Sequence, residues 1–390
     1  MQTRSLTEIR RDLHRLAELS GEESSTAAYV EQTLLSFGHG DIRTGMGGHG
    51  VACVIRGKQA GPRLLYRCDL DASPLTDDPA LPHASLRKEA AHRCGHDGHM
   101  ALALGLAQHW QRNPLARGEV VLLFQPAEET GAGAEAVLAD PRFAELEPDC
   151  VLALHNLPGL PLGSVVLREG EFASASRGMG IDLLGRSSHA AEPHAGNSPL
   201  AAAAELALAL AGLPTQVLGL GENALVTLVG LQSGGENYGT CPGKAMVAAT
   251  LRAHREETMQ SLVRAAIQRA GGIASAHGVQ AQIRWQDIFP ATPCDPTIVG
   301  ILRESAQRQG FQVIEPALPF AWSEDFGHFT ARWPGALFGL GSGESQPPLH
   351  ADGYDFPDDL LVPGLRFLIH AIPALLQQGP AHAHSRILLD

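Results

Sequence analysis

The sequence predicts an α/β protein: a mainly parallel sheet carrying the larger domain, with a smaller α+β domain of ferredoxin-like order inserted into it. Three observations carry this. A buried strand-like run (Arg63 to Cys68), a helical stretch (Met100 to Trp110) and a second apolar run (Glu119 to Gln125) follow in order, which implies a parallel crossover unit. Polar residues with reactive side chains stand just past the ends of successive apolar runs, where open parallel sheets bind ligands. From about Ser174 to Asp287 the pattern changes to strand, helix, strand, strand, helix, strand, the order of a split βαβ unit. The expected domains are therefore 1–173 with 288–390, and the inserted 174–287.

Taken in order, Ser5-Leu6-Thr7-Glu8 reads as a capping box, and Leu6, Ile9, Leu13 and Leu16 follow at helical spacing. A second helix runs from Thr26 to Phe37 and stops at Gly38, and both helices read as scaffold. Gly45-Met46-Gly47-Gly48-His49-Gly50 matches GxGxxG, but a strand-like run (Val51 to Ile55) follows where a dinucleotide fingerprint needs a helix, so it reads as a turn. Further strands are expected at Cys150 to Leu154, ending in His155, and at Ala336 to Leu340, followed by a glycine-rich turn and His350. The inserted domain reads as strands Gly180 to Gly185, Ala224 to Leu231, Ala245 to Ala253 and Val279 to Trp285, with helices Pro199 to Ala211 and Glu256 to Ala270. Pro296 to Gln309 is helical, Ser323 is expected to cap a further helix, and Asp358 to Gln377 closes the fold.

Composition narrows the function. With 390 residues and 44% hydrophobic content the chain can bury two cores. Its 29 Lys+Arg against 42 Asp+Glu give a net charge of -13, which opposes nucleic-acid phosphates and offers no basic membrane patch. Met1 to Arg15 has no signal-peptide core, and the alanine-rich Pro199 to Pro214 is too short to span a bilayer. Six scattered cysteines without a CxxC pair suit a reducing compartment, so the expected location is cytoplasmic.

The chemistry centres on Cys94-Gly95-His96-Asp97-Gly98-His99, where a thiol, two imidazoles and a carboxylate crowd six residues and glycines let the backbone turn tightly. Asp69 and Asp71, two apart in an extended chain, face one side. Glu128 and Glu129 follow the strand ending at Gln125. With His155 and His350 these clusters are expected to converge on one metal site.

In these motifs the chain resembles the M20 family of metal-dependent amidohydrolases, specifically the branch of aminoacylases, hippurate hydrolases and auxin-conjugate hydrolases. Arg10-Arg11-Asp12-Leu13-His14, the Cys94 to His99 motif, Pro126-Ala127-Glu128-Glu129, Ala153-Leu154-His155, Ser323-Glu324-Asp325-Phe326 and Pro348-Leu349-His350 stand in family order. The resemblance implies that Cys94, His96, Glu129, His155 and His350 hold two divalent ions, with zinc, manganese, cobalt, nickel and iron all suited to a thiolate-bearing site. It implies that Glu128 is the general base, that Asp71 orients a metal-site group and that His189 reaches a neighbouring active site to bind the oxyanion. Asn237 and Arg252 would contact substrate, an N-acyl amino acid, and the inserted domain would act as lid and pair subunits into a homodimer or a higher oligomer. Family departures are Tyr238 to Pro242 after Asn237, Trp322 before Ser323, and Arg93 before Cys94. The competing readings are a catalytically silent relative that binds a small molecule or metal, and a peptidase or deacetylase of a related N-acylated metabolite. A serine hydrolase is excluded, because Gly341-Ser342-Gly343-Glu344-Ser345 lacks the GxSxG order.

Overall fold

A computed structural model describes residues 4–379 and divides into two compact units. Residues 1–3 and 380–390 of the expected larger domain lie outside the described residues.

The first unit is built on an eight-stranded mixed sheet. Its centre is four parallel strands in the order Arg117–Gln125, Gln59–Asp69, Cys150–Pro158, Gly335–Gly343. Antiparallel pairings at the flanks widen the expected parallel sheet: Gly50–Arg56 runs against Arg117–Gln125, and Val165–Val166 against Gly335–Gly343. The glycine-rich turn at 45–50 is the hairpin joining Ile42–Met46 to Gly50–Arg56, with Gly47 at φ 59° and Gly48 at φ 120°. The central strands are buried on both faces, which is why they read as unbroken apolar runs.

From Gln59–Asp69 the chain crosses through helix His96–Arg112 to a strand on one side, while Cys150–Pro158 joins on the other. The strand order reverses there, opening a crevice at the carboxyl ends. Helix His96–Arg112 is buried from His96 through Ala107, so its first turn lies inside the unit. One described helical stretch, Asp358–Gln378, is long and apolar enough to cross a membrane by length and composition. Phe367, Leu368, Ile372 and Leu376 on it are buried in the core of this unit.

The second unit comprises Ala173–Ala291 and Pro319–Glu324. Its antiparallel sheet has the order Ala224–Ser233, Lys244–Ala253, Ala175–Leu184, Gln280–Phe289, and helices Leu200–Ala211 and Glu256–Ala276 supply its core. In chain order this is 2-3-1-4, the ferredoxin-like arrangement that the alternation of strands and helices implied. The strip Pro319–Glu324 clusters here because Ser174 N–H donates to the Phe320 and Trp322 carbonyls, and Arg252 Nη1 donates to Ala321 O and Ser323 Oγ. That corrects the expected cap: the short helix begins at Gly327, and Ser323 spends its hydroxyl on Arg252.

Candidate metal centre

Helix His96–Arg112 starts at His96, after Gly95 in the left-handed region at φ 92°. Cys94 therefore sits on the turn, and His96 and His99 share one helical face. The second glycine of the motif has a packing reason: a Cβ at Gly98 would fall 2.3 Å from the Phe356 ring. Past Gln125, Ala127 takes φ 53°, an uncommon value for a side-chain-bearing residue. Its N–H donates to Glu23 Oε1 at 2.9 Å.

The structure brings Cys94, His96, Glu128, Glu129, His155 and His350 to one place in the first unit. Sets of donor atoms within 4.8 Å of one another include Cys94, His96 and His155; Cys94, Glu129 and His350; His96, Glu128 and Glu129; and Asp69, His96 and His99. Cys94 Sγ belongs to two of them, so one thiol faces two candidate ion positions. Cys94 Sγ lies 3.4 Å from His155 Nε2, and Glu129 Oε1 lies 3.4 Å from His350 Nε2. His155 is inside its strand rather than at the end, since pairing with Gly335–Gly343 carries the strand on to Pro158.

Asp71 is buried with Asp69 on the His96 side, each with an oxygen within 4 Å of that ring. Its carboxylate accepts from Glu128 N–H at 3.1 Å, Glu129 N–H at 2.9 Å and Ser20 Oγ at 2.7 Å. Its carbonyl oxygen takes His96 Nδ1–H at 2.8 Å, which leaves Nε2 the free nitrogen. Asp69 bonds His99 Nδ1 at 2.8 Å and Arg67 Nη1 at 2.7 Å, and His99 Nε2 bonds Asn156 Oδ1 at 2.6 Å.

Electrostatics and hydrogen bonding test whether these residues fit a divalent cation. His96 Nε2 is buried and makes no hydrogen bond, yet Asp69 Oδ2 and Glu128 Oε2 lie 3.7 and 3.8 Å away. Burial would lower the pKa of His96, but Asp69, Glu129 and Asp71 outweigh it and raise it to about 9. Burial lifts Asp71 to about 6, with His96 opposing. Burial, then His99, push His155 down to about 3, which keeps that imidazole neutral. A buried imidazole nitrogen that makes no hydrogen bond, set among carboxylates, a thiol and a neutral imidazole, is a group of metal-donor atoms in surroundings that favour a cation. It fits borderline-soft divalent ions.

A second cluster, His14, His83 and Asp355, also brings donors within 4.8 Å. Arg10 already supplies its cation, donating to Asp355 Oδ1 at 2.6 Å and Asp97 Oδ2 at 3.2 Å. His14 bridges Asp97 Oδ2 (2.8 Å) and Asp77 Oδ2 (3.1 Å). Burial lowers its pKa, but the bonds to Asp77 and Asp97 prevail and raise it to about 9. Asp77 is held down at about 2: burial opposes this, and the bonds from His14 and Ser85 N–H overcome it. The His14 contribution to stability is complete below its unfolded value of about 6.5 and is lost as pH rises through 9. That of Asp77 is present above about 4 and is lost as pH falls through about 2. His14→Gln is expected to flatten the alkaline decline in urea midpoint between pH 6.5 and 9, an effect of up to about 3 kcal/mol; an unchanged decline would remove His14 as its source.

His189, Asn237 and Arg252 lie in the second unit. His189 pairs with Thr240 across a two-residue ladder, next to the turn where Asn237 Oδ1 accepts Gly239 N–H. Arg252 is near the far end of Lys244–Ala253, eight residues and about 27 Å beyond Lys244 at the usual rise per residue. The unit does not bring Arg252 together with His189 and Asn237.

Several supporting residues escaped the reading of the sequence. Ser20 and Glu23, from the connection between two helices taken as scaffold, hold Asp71 and Ala127. Ser73 Oγ donates to Glu129 Oε1 at 2.6 Å, and Asn156 holds His99. Only Asn156, directly after His155, carries a local signal.

The model of Peptidase family M20/M25/M40 matches residues 65–374. The chain is 32% identical over 377 residues to an N-acetyl-L-cysteine deacetylase of Bacillus subtilis, covering 96% of this chain and 89% of that protein. It is 29% identical over 365 residues to an N-acetyldiaminopimelate deacetylase of a Geobacillus species, covering 93% and 96%. A crystal structure of a dinuclear metal-binding peptidase of the M20 family from Bacillus subtilis superposes with a TM-score of 0.80 at 28% identity, covering 96% and 98%.

Proposed function

Since the chain belongs to peptidase family M20/M25/M40 and is a hydrolase of linear amides, we propose that it cleaves N-acyl amino acids into a carboxylic acid and a free amino acid. The observation that carries the reading is the orphaned His96 Nε2 within a buried cluster of acids, imidazoles and a thiol. Cys94, His96, Glu129, His155 and His350 would hold two divalent ions. When bound, such ions lower the pKa of water toward neutrality and polarise the scissile carbonyl.

The chain's own residues do the rest. Glu128 takes the proton of the attacking water on its carboxylate and delivers it to the leaving amine nitrogen. Asp71 holds the main chain of Glu128 and Glu129 and so positions the base beside its ligand neighbour. Arg252 is half-buried, and among the described residues it has no carboxylate partner. A guanidinium so placed suits the α-carboxylate of an amino acid.

Two chains are proposed to pair through the inserted unit, with His189 and Asn237 serving the partner's site. Mixing a His189→Ala chain with a Glu128→Gln chain is then expected to recover about a quarter of wild-type activity, since half of randomly paired dimers carry one intact site of two. No recovery after verified subunit exchange would rule that sharing out. Six free thiols are in keeping with a cytoplasmic enzyme.

The deciding experiment is amine release from N-acetyl, N-benzoyl and N-indoleacetyl amino acids, with N-acetylcysteine and N-acetyldiaminopimelate included. The purified protein is assayed after chelation and after adding back zinc, manganese, cobalt or nickel. Metal-dependent release is the expected result. No release with any metal, from protein that binds two ions, would favour a silent binder.

A further inference from the structure

We propose that Arg93 is a positioning residue that latches the His350 turn and so sets how tightly the Cys94, Glu129 and His350 donors hold a divalent ion. The inference rests on the metal-site reading above and concerns a residue outside the donor set.

His350 needs such a device. It sits at φ 63°, a left-handed value that strains a side-chain-bearing residue and persists only where its surroundings impose it. Its side chain is 49% exposed, so packing does not impose it. Hydrogen bonds do. His350 N–H donates to the carbonyl of Arg93 at 2.9 Å, tying the turn to the residue directly before Cys94. The Arg93 side chain then reaches past that contact, and its Nη1 donates to Asp352 Oδ1 at 2.6 Å, two residues beyond His350. Its Nη2 donates to Thr76 O, on a third segment. One residue thus binds the turn at His350 and at Asp352 and anchors it to the segment of Thr76.

The setting of the guanidinium argues that the latch matters. Arg93 is 5% exposed, while Asp352 caps it from the solvent side. Arg93 Nε is buried without a hydrogen-bond partner among the described residues, an arrangement that carries the desolvation cost of an unmade bond. A charge kept there at that cost, with its two outer nitrogens aimed at the turn and at Thr76, is placed to hold His350 toward Glu129. Glu129 is itself fixed from the opposite side by Ser73 Oγ.

The test measures metal affinity, by competition against a chromophoric chelator, together with the visible spectrum of the cobalt-loaded protein and the melting temperature. The full chain is compared with Arg93→Ala, Arg93→Lys and Asp352→Asn. Asp352 is exposed, so its variant reports even if Arg93→Ala fails to fold. The expected result is that Asp352→Asn and Arg93→Ala weaken one of the two ions by about 10–100-fold and alter the cobalt spectrum, while the other ion stays bound. Arg93→Lys should recover part of the loss, because one ammonium reaches one of the two oxygens. Lowered melting temperatures with both affinities and the spectrum unchanged would overturn the latch and leave the hydrolase reading standing. Wild-type protein that binds no ion would overturn both.

Discussion

Replacing Glu128 with glutamine is expected to leave two ions bound and to lower turnover by about 10²–10⁴-fold, the usual worth of a positioned acid-base group. Glutamine has nearly the same shape, and the main chain at 128 is held by Asp71 Oδ1 rather than by the side chain. The variant therefore removes the proton acceptor and keeps the main-chain position. Metal content by mass spectrometry and kcat on the best N-acyl amino acid make the check. Turnover within a few-fold of wild type would take Glu128 out of the mechanism.

Cys94→Ser is expected to be the most damaging change to metal retention. Cys94 Sγ belongs to two donor sets, with His96 and His155 and with Glu129 and His350, so its loss reaches both candidate ion positions. A neutral hydroxyl replaces a thiolate, and affinity should fall by more than the roughly 10–100-fold typical of losing a residue that merely orients a ligand. Dialysis against a weak chelator followed by metal analysis reads this directly. Two ions retained at unchanged affinity would remove Cys94 from the donor set.

These two expectations differ in how they depend on the fold. Loss of Cys94 acts through the turn before helix His96–Arg112, which faces Glu129, His155 and His350. Glu128 follows the strained turn at Ala127, with φ 53°, and carboxylate oxygens of Glu128 and Glu129 lie within 4.8 Å of each other and of a His96 ring nitrogen. Asp71 stabilises that turn by accepting both N–H groups. Asp71→Asn, which offers one carbonyl oxygen where two carboxylate oxygens stood, should therefore lower turnover with less effect on melting temperature, and a loss of stability alone would make its role structural.

The sequence by itself determined the two-unit architecture, the parallel centre of the larger sheet, the ferredoxin-like order of the smaller unit and the convergence of the Cys94, Glu128, His155 and His350 motifs. These were legible because each depends on local pattern. Unbroken apolar runs mark strands buried on both faces, and reactive residues just past such runs mark the carboxyl edge of a parallel sheet. Only the tertiary structure decided the rest. Ser20, Glu23 and Ser73 lie far along the chain from the carboxylates and backbone they hold, and serines and glutamates at such positions look like ordinary turn residues in sequence. The antiparallel pairings at the sheet's flanks depend on which strands meet, which periodicity does not encode. Arg93 stands in the sequence only as a departure before Cys94, and its guanidinium is found buried between Thr76 and Asp352. Ser323 reads as a helix cap until Arg252, 71 residues away in sequence, is found on its hydroxyl. The physical reason is common to all of them: a hydrogen bond between distant residues leaves no periodic trace, because its partners are chosen by how the elements pack.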